Sequence, residues 1–162
     1  MYEDFMKFAA RFPEKVKIDF DCENGYHVPS EFFESDVFRN TEDFSCNSLI
    51  TMTDDQFLNS NASHFNIRSQ IISAEAIHQK IYNWWNSKTS ATLKLSIYSY
   101  ERSNDPDVPP SLDENIVFGC IPFKKIEGID WEDQYMTRKS DGSIALVTFS
   151  ARHFYFRTFP PM

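Results

Sequence analysis

Apolar and polar positions alternate with two different periods along this chain. Residues 2–12 place Tyr2, Phe5, Met6, Ala9 and Phe12 at helical spacing, and Pro13 ends the pattern. Residues 15–21 switch to strict alternation, with Val16, Ile18 and Phe20 on one side, which predicts a half-buried strand. Asn24-Gly25 is a turn signal, and Tyr26-His27-Val28 is the expected return strand. Ser30 is placed to cap a short helix through Phe32, Phe33 and Val37. Residues 39–52 show no clear period. Thr53-Asp54-Asp55-Gln56 fits a capping box, in which hydroxyl and amide side chains each satisfy one orphan backbone N–H. A helix over Asp54–Asn59 follows from it.

The longest pattern covers residues 66–86. Ile67, Gln70, Ile71, Ala74, Ile77, Ile81, Trp84 and Trp85 recur at i, i+3, i+4 spacing and predict a long helix with one buried stripe. Trp84 and Trp85 diverge by about 100° on a helix, so only one can point fully into a core. His78 lies beside the stripe and is expected to pack at its boundary. Residues 91–100 alternate again, with Leu93, Leu95 and Ile97 on one face, as in an antiparallel strand with one wet side. Residues 102–110 have a loop composition. Residues 116–126 form a second apolar run, expected as a strand bulged or at an edge because Pro122 donates no ladder bond. Residues 128–135 are expected as a loop with one helical turn around Trp131. Ser140-Asp141-Gly142-Ser143 is a hairpin turn signal, and strands over 144–149 and 153–159 follow it and complete the sheet.

These elements predict one α+β domain over residues 1–162, an antiparallel sheet of about four to six strands packed against the 66–86 helix. Short helices precede it near the N-terminus, and a meander is the simplest strand order.

Charge adds an asymmetry that the pattern of apolar positions does not contain. The formal net charge is −8, and residues 1–60 carry all of it, with 13 acids against 5 Lys and Arg. Residues 61–162 balance at 11 of each. An acidic N-terminal part therefore adjoins a neutral helix-and-sheet core. Ten acids fall between positions 19 and 55: Asp19, Asp21, Glu23, Glu31, Glu34, Asp36, Glu42, Asp43, Asp54 and Asp55, opposed by Arg39 alone. Such a field attracts a basic partner and repels nucleic acid. No signal peptide or membrane-length apolar run is visible, so a cytoplasmic protein is expected. Cys22, Cys46 and Cys120 are expected to be reduced thiols, with Cys120 buried in its apolar neighbourhood.

Catalytic chemistry has little footing. There is no Gly-rich phosphate loop, no GxSxG elbow, and no CxxC or HExxH pair. No metal or cofactor is expected, although Asp19 and Asp21 project to one strand face where two carboxylates suit Mg²⁺. Neighbouring Lys15 and Lys17 explain the same pair as a solvated face. The enzyme alternative is a small nuclease or phosphoesterase using His153 with Arg152 and Arg157, beside aromatics able to stack on bases.

The helix end Ile81-Tyr82-Asn83-Trp84-Trp85, followed after a short spacer by the strand Ser90-Ala91-Thr92-Leu93-Lys94-Leu95-Ser96-Ile97-Tyr98, resembles polymorphic-toxin immunity proteins, including those of contact-dependent inhibition systems. The resemblance spans residues 77–126. It implies a cytoplasmic inhibitor that neutralises a nucleic-acid-targeting toxin. On that expectation the ten acids and Trp85 meet a basic protein, with no direct contact to nucleic acid or membrane. A phage- or plasmid-encoded inhibitor of host defence, acting as a DNA mimic, has the same size and acidity.

Overall fold

The computed structural model describes residues 16–20, 28–69, 71–87, 92–98, 112–126, 133–150 and 153–161. Among these described residues, eight strands form one sheet: β1 (Val16–Phe20), β2 (Thr41–Ile50), β3 (His64–Ser69), β4 (Lys94–Tyr98), β5 (Lys124–Ile126), β6 (Asp133–Arg138), β7 (Ile144–Ser150) and β8 (His153–Phe159). Their spatial order is β1-β2-β3-β4-β8-β7-β6-β5. The fold is α+β with a mixed sheet. β1 to β4 run parallel, β4 meets β8 antiparallel, and β8 to β5 form an antiparallel meander. After β4 the chain crosses to the far edge and returns strand by strand, so β4 does not continue into a simple meander.

All helices described lie on one face of this sheet. A 3₁₀ turn (Ser30–Glu34) and α1 (Asp36–Arg39) place Phe32, Phe33 and Phe38 around Phe44 of β2, with ring centroids 5.3–6.0 Å from it. The α2 helix (Asp54–Asn59) sets Phe57 4.9 Å from Phe65 of β3. The α3 helix (Ala74–Asn86) buries Ile77, Ile81 and Trp84, the last 5.5 Å from Phe156 of β8. The α4 helix (Glu114–Phe118) packs Phe118 on Tyr135 and Phe149. Among the described residues no helix is long and apolar enough to cross a membrane.

Several local expectations hold. The capping box is present in both directions, with Gln56 N donating to Thr53 Oγ1 and Thr53 N to Gln56 Oε1. The Ser140–Ser143 hairpin joins β6 to β7, and Gly142 supplies the positive φ (89°) that the turn requires. β8 alternates as expected, burying Phe154, Phe156 and Thr158.

The long helix over 66–86 is corrected. Residues 64–69 are a strand with Phe65, Ile67 and Ser69 buried, and the helix begins only after Ser73. Ile67 lies in the strand and Ile71 in the bend that leads to the helix, so their four-residue spacing is coincidental. Ser69 Oγ ends the strand by accepting from the N–H groups of Ile71 and Ile72, and Ser73 then caps α3 through Ala76 N.

The expected strand over 116–126 is also corrected. Asp113 caps α4 through Asn115 N, and Gly119 closes that helix at φ 51°. A Cβ there would clash with the His78 ring. Only Lys124–Ile126 pairs in the sheet, and Cys120 is exposed rather than buried.

β2 escapes the sequence pattern because a bulge between Cys46 and Leu49 breaks its alternation. Ser30 opens a 3₁₀ turn rather than capping a helix, and Ser35 is the cap that α1 uses. The described partner of β1 is β2, in parallel. Residues 133–135, expected within a loop, begin β6. The helix expected over 2–12, the return at Tyr26 and His27, the loop over 102–110 and the turn around Trp131 lie outside the described residues.

Candidate partner-binding surfaces

The fold distributes the described acids over two faces of the molecule. Glu31, Glu34, Asp36 and Asp55 are exposed on the helical side, each within or beside the first turn of a short helical segment. Carboxylates there meet the positive end of the helix dipole, so the placement also serves local structure. Gln56 Nε2 donates to Glu34 Oε1 at 3.5 Å and joins two of these segments. Asp36 pairs with Arg39 at 3.2 Å in open solvent.

Asp54 belongs to the scaffold. Its two oxygens accept from Ser73 N at 2.9 Å and Ser73 Oγ at 2.6 Å, pinning the start of α3 to the start of α2. Glu42 and Asp43 are half-buried in β2, and Asp43 lies 3.6 Å from His64 on the far side of the sheet. The Asp19 backbone pairs with Ser45 in β1, whereas Asp21 and Glu23 lie outside the described residues. Sequence order therefore overstates the cluster, because successive acids are sent to opposite sides of one sheet.

Trp85 does not stand out as an exposed anchor. It is half-buried against the core, 6.3 Å from Trp84. His78 packs at the helix boundary as expected, with Nδ1 3.0 Å from Val117 O and its ring 5.7 Å from Tyr82.

The second surface was not anticipated as a unit. No described helix covers the other side of the sheet, and strand register arranges its side chains in rows. One row runs Asp43, His64, Lys94, Arg157, Leu146, Met136, Lys124 across seven strands. The next runs Ser45, Asn66, Ser96, Tyr155, Thr148, Gln134, Ile126. A third holds Leu49, Arg68, Tyr98 and His153. Five of the eight exposed large apolar side chains among the described residues lie here: Leu49, Tyr98, Met136, Leu146 and Phe159. That concentration separates this face from ordinary scattered exposure.

The enzyme candidates fall in its centre. His153 Nε2 is 3.2 Å from Ser96 Oγ, and its ring stacks on Tyr98 at 4.2 Å and 9°. Arg157 is exposed on the same face with its guanidinium 5.0 Å from the Phe159 ring, while Arg152 lies outside the described residues. The signal that would have found this face was already in the sequence. Tyr98, His153, Tyr155 and Arg157 are the polar positions of two alternating strands, but their adjacency depends on β4 pairing with β8.

Among the described residues no group of three or more His, Cys, Asp or Glu side chains is placed to hold a metal ion. Comparison with protein-family models, curated proteins and solved structures finds no match to this chain.

Proposed function

We propose that this protein is a cytoplasmic binding protein that inhibits a basic, nucleic-acid-acting partner, in the manner of an immunity protein neutralising a toxin. The observation that carries this reading is the group Glu31, Glu34, Asp36 and Asp55, exposed on the helical side with Arg39 as the neighbouring base. Excess negative charge on one side speeds encounter with a basic protein and occupies the surface that otherwise meets phosphates. The same surface would serve a phage- or plasmid-encoded inhibitor of host defence that mimics DNA.

Affinity capture from the native host at low and at high salt tests it, using wild type and the triple variant Glu31→Lys/Glu34→Lys/Asp36→Lys. A basic protein should be held by wild type at low salt and lost by the variant, and its purified nuclease activity should fall when wild type is added. Equal retention by both proteins, or an uninhibited partner, overturns the reading.

A hydrolase reading has one specific observation behind it, the contact of Ser96 with His153, with Arg157 four residues along the same face of β8. It requires that the wild type hydrolyse DNA, RNA or a cyclic nucleotide and that His153→Ala abolish the activity.

A further inference from the structure

We propose that the sheet face that no described helix covers binds single-stranded nucleic acid, with Arg68, Lys94 and Arg157 meeting phosphates and Tyr98 and Tyr155 stacking on bases. This rests on the sheet face alone and stands apart from the reading of the acidic side.

The first argument is charge. The described side chains of this face include five exposed cations, Arg68, Lys94, Lys124, Arg138 and Arg157, against one acid, Asp43. The protein as a whole is strongly acidic, so this face opposes the net charge. Lys94 and Arg157 stand directly opposite each other on β4 and β8. Like charges in that position destabilise a sheet. Their row neighbours are His64 and Leu146, neither of which carries negative charge, and Asp43 is a further strand away. Neighbouring strands lie about 4.8 Å apart, so Asp43 is roughly a Debye length from Lys94 at physiological salt. An anion at the paired cations would relieve the repulsion.

The second argument is ring chemistry. Tyr98 is 40% exposed and already stacks on His153, which lies 6.2 Å from Tyr155. Phe159 lies beneath the Arg157 guanidinium. Flat rings interleaved with cations match the requirements of an unpaired strand, whose bases are free to stack and whose backbone carries the charge. An acidic polypeptide would use the cations and leave the rings idle. A duplex would offer its phosphates but keep its base faces stacked on each other.

The test is fluorescence anisotropy of a labelled oligouridylate or oligothymidylate of about 10 nucleotides. It is titrated with the full chain at about 50 and about 200 mM salt. Binding should weaken with salt, with a log–log slope of about −0.7 for each phosphate contact. Lys94→Gln and Arg157→Gln should weaken binding and each flatten that slope by about 0.7. Tyr98→Leu and Tyr155→Leu keep bulk but remove the ring. They should cost roughly 5- to 100-fold in affinity with the slope unchanged. Tyr98→Phe and Tyr155→Phe should bind as wild type, which separates ring loss from loss of the fold. Glu31→Gln, on the helical side, should not weaken binding. Absence of binding at the lower salt overturns the proposal. So does equal binding to duplex DNA or polyglutamate with no loss in the leucine variants, which would mark the face as a general anion or acidic-protein dock.

Discussion

The two halves of the sheet bury the same kind of residue on the same side but are fixed by different means. In the parallel half, each connection from β2 to β4 carries a helix back over the sheet, and the order is held by aromatic packing. Phe32, Phe33, Phe38 and Phe65 all have ring centroids within 6.4 Å of Phe44. In the antiparallel half, the tight turn between β6 and β7 sets their register and one buried lysine ties the meander to α3. Lys139, directly after β6, donates from Nζ to Trp84 O at 3.1 Å and Ser87 O at 2.8 Å, at the C-terminal end of that helix. The cation there also complements the negative end of the helix dipole. Non-local aromatic packing thus secures strands whose partners are distant in sequence. Where partners are adjacent, a hairpin and a single polar clamp suffice.

The largest expected effect breaks the parallel half. Phe44→Ala removes the ring shared by four aromatic neighbours and should cost about 3–5 kcal/mol in chemical denaturation. Val147→Ala, a fully buried position in the antiparallel half, should cost less, about 1–3 kcal/mol. Equal losses would show that the two halves share one source of stability.

Lys139→Met probes the clamp on the other side of the comparison. The substitution keeps most of the apolar stem and removes the ammonium, leaving Ser87 O without this donor. A loss of about 2 kcal/mol is expected in thermal or denaturant unfolding. Asp141, 3.5 Å from Lys139, has its carboxyl held below the usual range first by its bonds from Ser143, with the lysine a smaller contribution. A variant as stable as wild type would move the support of the meander to the packing of Trp84 on Phe156.

The same comparison explains what could be read in the sequence. β7, β8 and the turn before them were legible because adjacent strands, alternation and a Gly-containing turn sit side by side in the chain, whereas β6 was not, its first residues being expected in a loop. The parallel half was not, because β3 merged into the helical spacing of residues 66–86 and alternation in β4 is the ordinary mark of an antiparallel sheet with one wet face. Parallel strands are usually covered on both sides and read as continuous apolar runs. Here no described helix covers the second face, and Asn66, Arg68, Lys94 and Tyr98 interrupt the apolar positions and conceal the parallel pairing. The acidic residues were visible one by one, but the side each occupies depends on strand register and a bulge. Asp54 was read as surface, whereas Ser73, nineteen residues away, makes it a structural acceptor.

A pH measurement sharpens the account of the parallel half. Lys80 reaches from α3 to Phe57 O and Ser60 O, beneath the α2 helix, with its ammonium over the Phe57 and Phe65 rings. Burial pulls its pKa from 10.5 down to about 8. Between those values the unfolded chain keeps the proton that the folded one has released, so stability rises with pH across this window. Relative to Lys80→Met, wild type should gain about 1–2 kcal/mol between pH 8 and 10.5, after allowance for solvent access. A flat difference between the two proteins would mean that the folded ammonium stays charged, held by its two carbonyl acceptors.

The smallest effect asks whether local sequence signals contribute to the parallel half at all. Thr53→Ala removes the acceptor for Gln56 N at the start of the six-residue α2 and should cost about 1 kcal/mol. Gln56→Ala leaves the Thr53 cap in place but loses both the return bond to Thr53 N and the contact with Glu34, so it should cost less. Two non-local ties hold the same helix, Phe57 packed on Phe65 and Asp54 bonded to Ser73. If Thr53→Ala is neutral while Phe57→Ala is severely destabilising, α2 is positioned by tertiary contacts alone. The capping box would then mark where the helix starts without stabilising it. A loss near 1 kcal/mol would instead show that parallel strands with distant partners still draw on short-range order in the connections that carry them.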